Sequence, residues 1–187
     1  ELNDYLKKPY SNRLWYTATA FRRGYSVEKV AELTGIDPWF LRQIKDILDL
    51  EKYFSTLGPI SKWTDKELRV AKEVGFSDKY LGLIIKCEEK LIRDERQKRK
   101  IYPSFSLVDT CAGEFEAKTP YLYSTYNSNL PTPEPSKNAI LILGGGPNRI
   151  GQGIEFDYCC VHASMTARDE GYESIMLNCN PETVSTD

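Results

Sequence analysis

The chain has 187 residues, of which 41% are hydrophobic and 28% charged, and its formal net charge is −2. That balance gives no basis for a nucleic-acid or anionic-lipid partner. No apolar run approaches the roughly 18 residues that span a bilayer, and no secretory signal opens the chain. The expected compartment is the cytoplasm. The length suits one complete domain and part of another, and the first residue, Glu1 rather than Met, reads as the start of an excised segment.

Residues 11 to about 100 read as consecutive helices. Leu14, Ala18 and Phe21 hold helical spacing up to a stop at Gly24. Ser26 starts a short helix that Gly35 closes. Asp37 followed by Pro38 marks an N-cap before a first-turn proline, and the apolar positions from Phe40 to Leu50 predict a helix to about Thr56. Thr64 and Glu67 form an S/T-x-x-E capping box for a helix that ends at Gly75. Ser77 caps a further one, with helix extending through Leu91 and Ile92. The passages 26–50 and 64–92 share a plan of short capped helix, Gly turn and longer helix, as a duplicated helical hairpin would.

Beyond Lys100 the pattern changes. Residues 105–108 and 120–126 are aromatic and β-branched and predict short strands or extended cover segments, with a turn of helix at 111–115 between them. Residues 127–138 hold Pro131, Pro133 and Pro135 and predict a linker. After it, the strand run 139–143, a helix from Ile150 to about Glu170 and a strand at 174–178 predict a parallel βαβ unit that stops at Asp187. The expected architecture is a mainly α helical domain over 1–126, a Pro-rich linker over 127–138 and a truncated α/β unit over 139–187.

The loop between the first of these strands and its helix carries Gly144, Gly145, Gly146 and Gly151. Backbone N–H groups and a helix N-terminus converging there would suit an anion. A Walker A loop requires G-x-x-x-x-G-K-[ST]; here Gln152 and Gly153 follow Gly151, so the phosphate-binding Lys and the Mg²⁺-binding hydroxyl are missing. A dinucleotide fingerprint keeps Gly144 and Gly146 but meets Arg149 at its third glycine, and an NAD(P)-binding fragment remains an alternative on that partial match. The five cysteines, Cys87, Cys111, Cys159, Cys160 and Cys179, show no C-x-x-C pair, and His162 is the single histidine. They are expected to be free, mostly buried thiols, with no metal site.

The runs Gly144-Gly-Gly-Pro-Asn-Arg-Ile-Gly-Gln-Gly-Ile-Glu-Phe-Asp-Tyr-Cys-Cys160 and Asn178-Cys-Asn-Pro-Glu-Thr-Val-Ser-Thr-Asp187 closely resemble the start of the second synthetase half in the large subunits of carbamoyl-phosphate synthases, of the bacterial type. Upstream, Asn12-Arg-Leu-Trp15, Val108-Asp-Thr-Cys-Ala112 and Tyr121-Leu-Tyr-Ser-Thr-Tyr126 resemble the end of that family's oligomerisation domain and its exit. The resemblance implies a Rossmann-like, pre-ATP-grasp subdomain at 139–187. It implies a parent ligase that makes carbamoyl phosphate from bicarbonate, ammonia and two ATP for arginine and pyrimidine biosynthesis. A partner glutaminase subunit would supply the ammonia, and ATP with Mg or Mn would bind in segments beyond Asp187. Catalytic residues, cofactors and metals are then expected to be absent from this segment.

Carried over position by position, the resemblance assigns Gly153, Glu155 and Glu182 to the carbamate passage and the substrate end of the second half. A glycine at 153 leaves room for a small molecule, and Glu155 and Glu182 could offer carboxylates to the carbamate NH₂. Each also has a structural reading, Glu155 as an acid favoured by a helix N-terminus and Glu182 as a solvated loop acid. Arg149 is an anion contact or an ion-pair partner of Glu155 or Asp157.

Two features invite other functions. Residues 90–100 carry a local charge of +4, read as a solvated helix face or subunit contact rather than a nucleic-acid patch. Residues 26–44 imitate a helix-turn-helix DNA reader, but Pro38, Trp39 and Phe40 stand where base-reading polar groups are needed, and Asp46, Asp49 and Glu51 would repel phosphates. Trp15, Trp39, Trp63 and the tyrosines at 121–126 read as core and interface anchors, with self-association through the helices as the expected partner interaction.

Overall fold

The structure, a computed structural model, describes residues 2–115, 121–127, 134–146 and 157–179. The chain divides into two compact units, Glu1–Pro103 and Ser104–Asp187.

The first unit holds α1 (Leu2–Lys7), α2 (Arg13–Arg22), α3 (Val27–Thr34), α4 (Pro38–Thr56), a 3₁₀ turn (Ile60–Lys62), α5 (Asp65–Glu73), α6 (Asp78–Ile85) and α7 (Glu89–Lys98). The caps read from sequence set these boundaries. Ser26 Oγ accepts from Lys29 N at 3.1 Å, Asp37 Oδ1 from Trp39 N at 2.7 Å, and Ser77 Oγ from Tyr80 N at 3.0 Å. Thr64 and Glu67 close a reciprocal capping box, Glu67 N donating to Thr64 Oγ1 at 3.2 Å and Thr64 N to Glu67 Oε2 at 2.6 Å. Each such cap satisfies a helix-end N–H and contributes about 1 kcal/mol. The Thr64 N–H foremost, and then the Thr64 hydroxyl, which donates to the same Glu67 Oε2 at 2.7 Å, hold the Glu67 carboxyl below its usual range.

Two differences from the sequence reading stand out in this unit. The segment before residue 11 forms α1, whose Leu6 is fully buried with Ala20, Phe21, Val30 and Leu41 in one core. The second hairpin does not repeat the first, because its longer arm is broken. Where α4 runs 19 residues, α6 stops after 8 at Lys86, which takes the left-handed conformation, and α7 begins afresh. The break lets α6 approach the following turn closely, and a Cβ at Gly82 would lie 2.7 Å from the Cys87 carbonyl oxygen.

A second core gathers Phe54, Trp63 and Phe76, and Leu68, Leu81 and Ile92 are buried in the same stretch of chain. Phe54 stacks on Trp63 at 5.2 Å and meets Phe76 edge-on at 5.2 Å. Burying each such ring removes much apolar surface from water, about 2–3 kcal/mol apiece. Beside this core, Asp78 accepts from Lys72 Nζ at 2.8 Å and from Arg96 Nη2 at 3.0 Å, and all three side chains are nearly buried. Arg99 donates to Trp63 O at 2.6 Å and to Glu95 at 2.7 Å. The basic run is thus only in part a solvated face: Arg96 and Arg99 turn inward and brace α7 against α6 and the 3₁₀ turn.

The second unit contains β1 (Ser104–Leu107), β2 (Leu122–Thr125), β3 (Ala139–Leu143), α8 (Tyr158–Asp169) and β4 (Glu173–Leu177). Both segments are strands, and β1 and β2 pair antiparallel with Ser104 opposite Thr125. The expected helical turn at 111–115 is a non-helical turn, because Ala112 and Gly113 both adopt positive φ. β3 and β4 pair in parallel, Ala139 beside Glu173 and Leu143 beside Leu177, and α8 packs on them.

Candidate functional site

The pleat of β3 sends Ile140 and Ile142 to one face of the two-stranded sheet, where with Ala163, Thr166 and Ala167 of α8 they line an open apolar hollow. On that side Ser164 and Ser174 share a hydrogen bond of 2.6 Å. Leu141, Leu143 and Leu177 are exposed, Leu143 at 66%. A parallel sheet ordinarily buries both faces, so this unit presents one face that α8 does not cover.

At the carboxyl ends of the two strands, where ligands bind in open α/β sheets, three elements converge. Gly144 leaves β3 and donates its N–H to Leu177 O of β4 at 2.8 Å. Asn178 leaves β4 and donates Nδ2–H to Asp157 Oδ1 at 3.2 Å. Asp157 opens α8, its own carbonyl accepting from Val161 N at 3.1 Å, and it is 1% exposed. Gly144 is required here for space: a Cβ would sit 2.9 Å from Asn178 Cγ and 3.1 Å from Leu177 O. Gly146 is required for conformation, with φ of +89°. On the next turn of α8, Cys160 Sγ lies 3.7 Å from Leu143 O, and burial, then the Asp157 carboxylate, pushes its thiol pKa up.

Of the residues singled out from sequence, Gly144, Gly145 and Gly146 fall at this corner. Arg149, Gly151, Gly153, Glu155 and Glu182 lie outside the described residues. The helix expected from Ile150 is seen from Tyr158; Asp157 itself has φ −102° and ψ −5°, its side chain drawn inward to Asn178 rather than capping the helix. Sequence reasoning passed over Asp157 and Asn178 as site residues. Each stands within a quoted run, at the helix start and the strand exit, and those positions were the available signal.

The corner offers one carboxylate, one carboxamide and one thiol, and the described part of the Gly loop has no lysine or hydroxyl of the kind that grips a Mg²⁺-nucleotide. These residues do not fit ATP with its metal. Among the described residues no cluster of three His, Cys, Asp or Glu could hold a metal, and no helix is long and apolar enough to cross a membrane. The described cysteines are free, but Cys159 and Cys179 are exposed and the other three only half-buried, which corrects the expectation of mostly buried thiols.

The tryptophans also divide. Trp63 is a core residue, whereas Trp15, 70% exposed, and Trp39, 55% exposed, stand on the surface. Trp39 meets Phe40 edge-on at 5.0 Å, so an aromatic pair occupies the start of α4, where a DNA-reading helix would carry polar groups.

Residues 1–100 match the family model described as carbamoyl-phosphate synthetase large chain, oligomerisation domain, and residues 136–187 match that of the carbamoyl phosphate synthase preATP-grasp domain. The carbamoyl phosphate synthase large chain of Pseudomonas aeruginosa is 54% identical over 183 residues, 97% of this chain. That of Myxococcus xanthus is 50% identical over 186 residues, and that of Archaeoglobus fulgidus 46% over 190, each alignment covering all of this chain. The chain spans only 17%, 17% and 18% of these three relatives. The similarity supports the ligase resemblance and neither the DNA-binding nor the dinucleotide-binding alternative.

Proposed function

The chain belongs to the carbamoyl phosphate synthase large-chain family, and on that premise we propose that it serves a ligase making carbamoyl phosphate from bicarbonate, ammonia and ATP, with a glutaminase subunit as the ammonia source. Residues 1–126 associate large subunits, residues 127–138 link, and residues 139–187 begin the half that phosphorylates carbamate. The observation that carries this reading is the identity of about half the residues to a large chain in an alignment that covers the whole chain, with family matches over residues 1–100 and 136–187.

Within that reading Gly153 keeps the carbamate passage open, and Glu155 and Glu182 face its substrate end as acceptors for the carbamate NH₂. Arg149 serves as an anion contact or pairs with a neighbouring acid. ATP and its Mg or Mn ion bind elsewhere in the parent enzyme. The exposed Trp15 and the Trp39–Phe40 pair supply aromatic anchors of the kind that dominate protein interfaces.

Two measurements test this. The purified 187-residue chain should neither hydrolyse ATP nor form carbamoyl phosphate; ATPase activity that a substitution in the chain abolishes would contradict the assignment. Light scattering over a concentration series should show self-association that weakens in Trp15→Ala and Trp39→Ala. A strict monomer at high concentration would contradict the role of the helical unit.

A further inference from the structure

A cleft of about 730 Å³ opens on the helical unit, a volume suited to a small molecule. Its floor is one stripe of α4, where Lys45, Leu48, Asp49 and Lys52 recur at helical spacing. One wall is the turn from α2 to α3. Gly24 leaves α2 with φ of +85°, its N–H donating to Phe21 O at 2.9 Å, and Tyr25 N donates to Ala20 O at 3.0 Å. The chain swings off α2 there, and Phe21 and Arg22 remain as lining of the gap. Helix α6 adds Ile84, so the cleft takes its lining from both halves of the unit.

Three cations and two acids line this cleft, and four of the five charges cancel in pairs. Arg22 Nη2 donates to Glu51 Oε2 at 2.8 Å, and Lys45 Nζ pairs with Asp49. Glu51 also accepts from the Tyr80 hydroxyl at 2.9 Å. Among the described residues the Lys52 ammonium has no hydrogen bond or ion pair. One uncompensated positive charge therefore stands beside an apolar surface made by Phe21, Leu48 and Ile84. We propose that the cleft binds an amphipathic monocarboxylate, its carboxylate on Lys52 and its hydrocarbon or aryl body over Phe21, Leu48 and Ile84. A cationic ligand would be repelled by Lys52 and would find both acids already paired. A phosphate dianion would meet Asp49 and Glu51, and Arg22, the guanidinium that could grip it bidentately, is held by Glu51. The ion pair at exposed Lys52 selects the sign of the ligand, and burial of its apolar body supplies most of the affinity. The site does not depend on the carbamate chemistry proposed above.

The test titrates the isotope-labelled 187-residue chain with phenylbutyrate, phenylbutanol, phenylbutylamine and acetate, following backbone amide shifts by NMR. Phenylbutyrate should give saturable shifts concentrated at Gly24, Leu48, Lys52 and Ile84. Acetate carries the charge without the body and should bind at least roughly tenfold more weakly, since each buried methylene is worth about fourfold in affinity. The alcohol and the amine should also bind more weakly than the acid. Lys52→Glu changes an exposed side chain and leaves both cores intact; it should weaken phenylbutyrate roughly tenfold, through lost attraction and added repulsion. Lys66→Glu, on α5 and outside the lining of the cleft, should leave the affinity unchanged and serves as the control for net charge. Absence of saturable binding or shifts scattered over the chain would overturn the proposal. So would an alcohol, amine or acetate that binds as tightly as phenylbutyrate, or an equal effect of Lys52→Glu and Lys66→Glu.

Discussion

Replacing Asp78 by Asn tests the packing of the helical unit most sharply, because it removes one charge and almost no volume. Asp78 is 10% exposed and stands between Lys72, 7% exposed, and Arg96, 11% exposed, with contacts of 2.8 and 3.0 Å. Removing the carboxylate leaves two buried cations facing one another, and breaking a buried pair in this way costs about 3–5 kcal/mol. Lys72 keeps a bond to Phe76 O at 2.7 Å and Arg96 one to Ile101 O at 2.8 Å, so the loss should fall near the lower end, about 3 kcal/mol. For a unit of this size, about 4–8 °C of melting temperature per kcal/mol converts that to a drop of roughly 12–24 °C. Urea and thermal unfolding followed by far-UV circular dichroism measure it. A loss under about 1 kcal/mol with an unchanged m-value would refute the reasoning. The acid limb supplies a second check. Burial works against ionisation of Asp78, but Arg96 and Lys72 outweigh it and hold the carboxyl below its usual range. Its stabilising contribution is therefore complete above the unfolded value near pH 4 and is lost as pH falls through the lower folded value. The gap between the parent and Asp78→Asn should narrow in acid.

Gly82→Ala gains helix propensity of about 1 kcal/mol but drives a Cβ to 2.7 Å from the Cys87 carbonyl. Overpacking against backbone costs more than that gain, and thermal unfolding should show a net loss of about 1–2 kcal/mol; a stabilised variant would mean that the turn after α6 yields freely. Thr64→Ala removes one side of the capping box and should cost about 1 kcal/mol by urea titration, with no change in m-value. Amide exchange should be faster in β3 and β4 than in α4, since Leu141, Leu143 and Leu177 of their sheet are exposed. Equal protection would contradict the exposure of Leu141, Leu143 and Leu177.

The helices were legible because their ends carry chemistry that acts within four residues: Ser26, Asp37, Thr64 and Ser77 bond the N–H groups their positions dictate. The parallel pairing of β3 and β4 followed from two apolar runs flanking a helical segment. The inward turn of Arg96 and Arg99 was not legible, since it depends on Asp78, Asp65 and the carbonyls of Trp63 and Ile60, which only the folded chain brings near. The break after α6 was missed because Lys86 is an ordinary helix former forced into a left-handed turn by the approach of Gly82 to Cys87. At the candidate site, glycine spacing identified the loop, and the family runs identified its relatives. The Asp157–Asn178 bond joins residues 21 apart in sequence and leaves no periodic trace.

The central claim is that this segment opens the carbamate-phosphorylating half of a ligase, and Gly153→Phe in the full-length subunit tests it most directly. The measurement is the number of ATP molecules hydrolysed for each carbamoyl phosphate formed with ammonia as substrate. If Gly153 leaves room for carbamate, the bulky ring should block its delivery. Bicarbonate-dependent ATP hydrolysis should then continue while carbamoyl phosphate formation collapses, so that the ratio rises far above the two ATP of the coupled reaction. A ratio that stays at two, with product formed at the parent rate, would contradict the account.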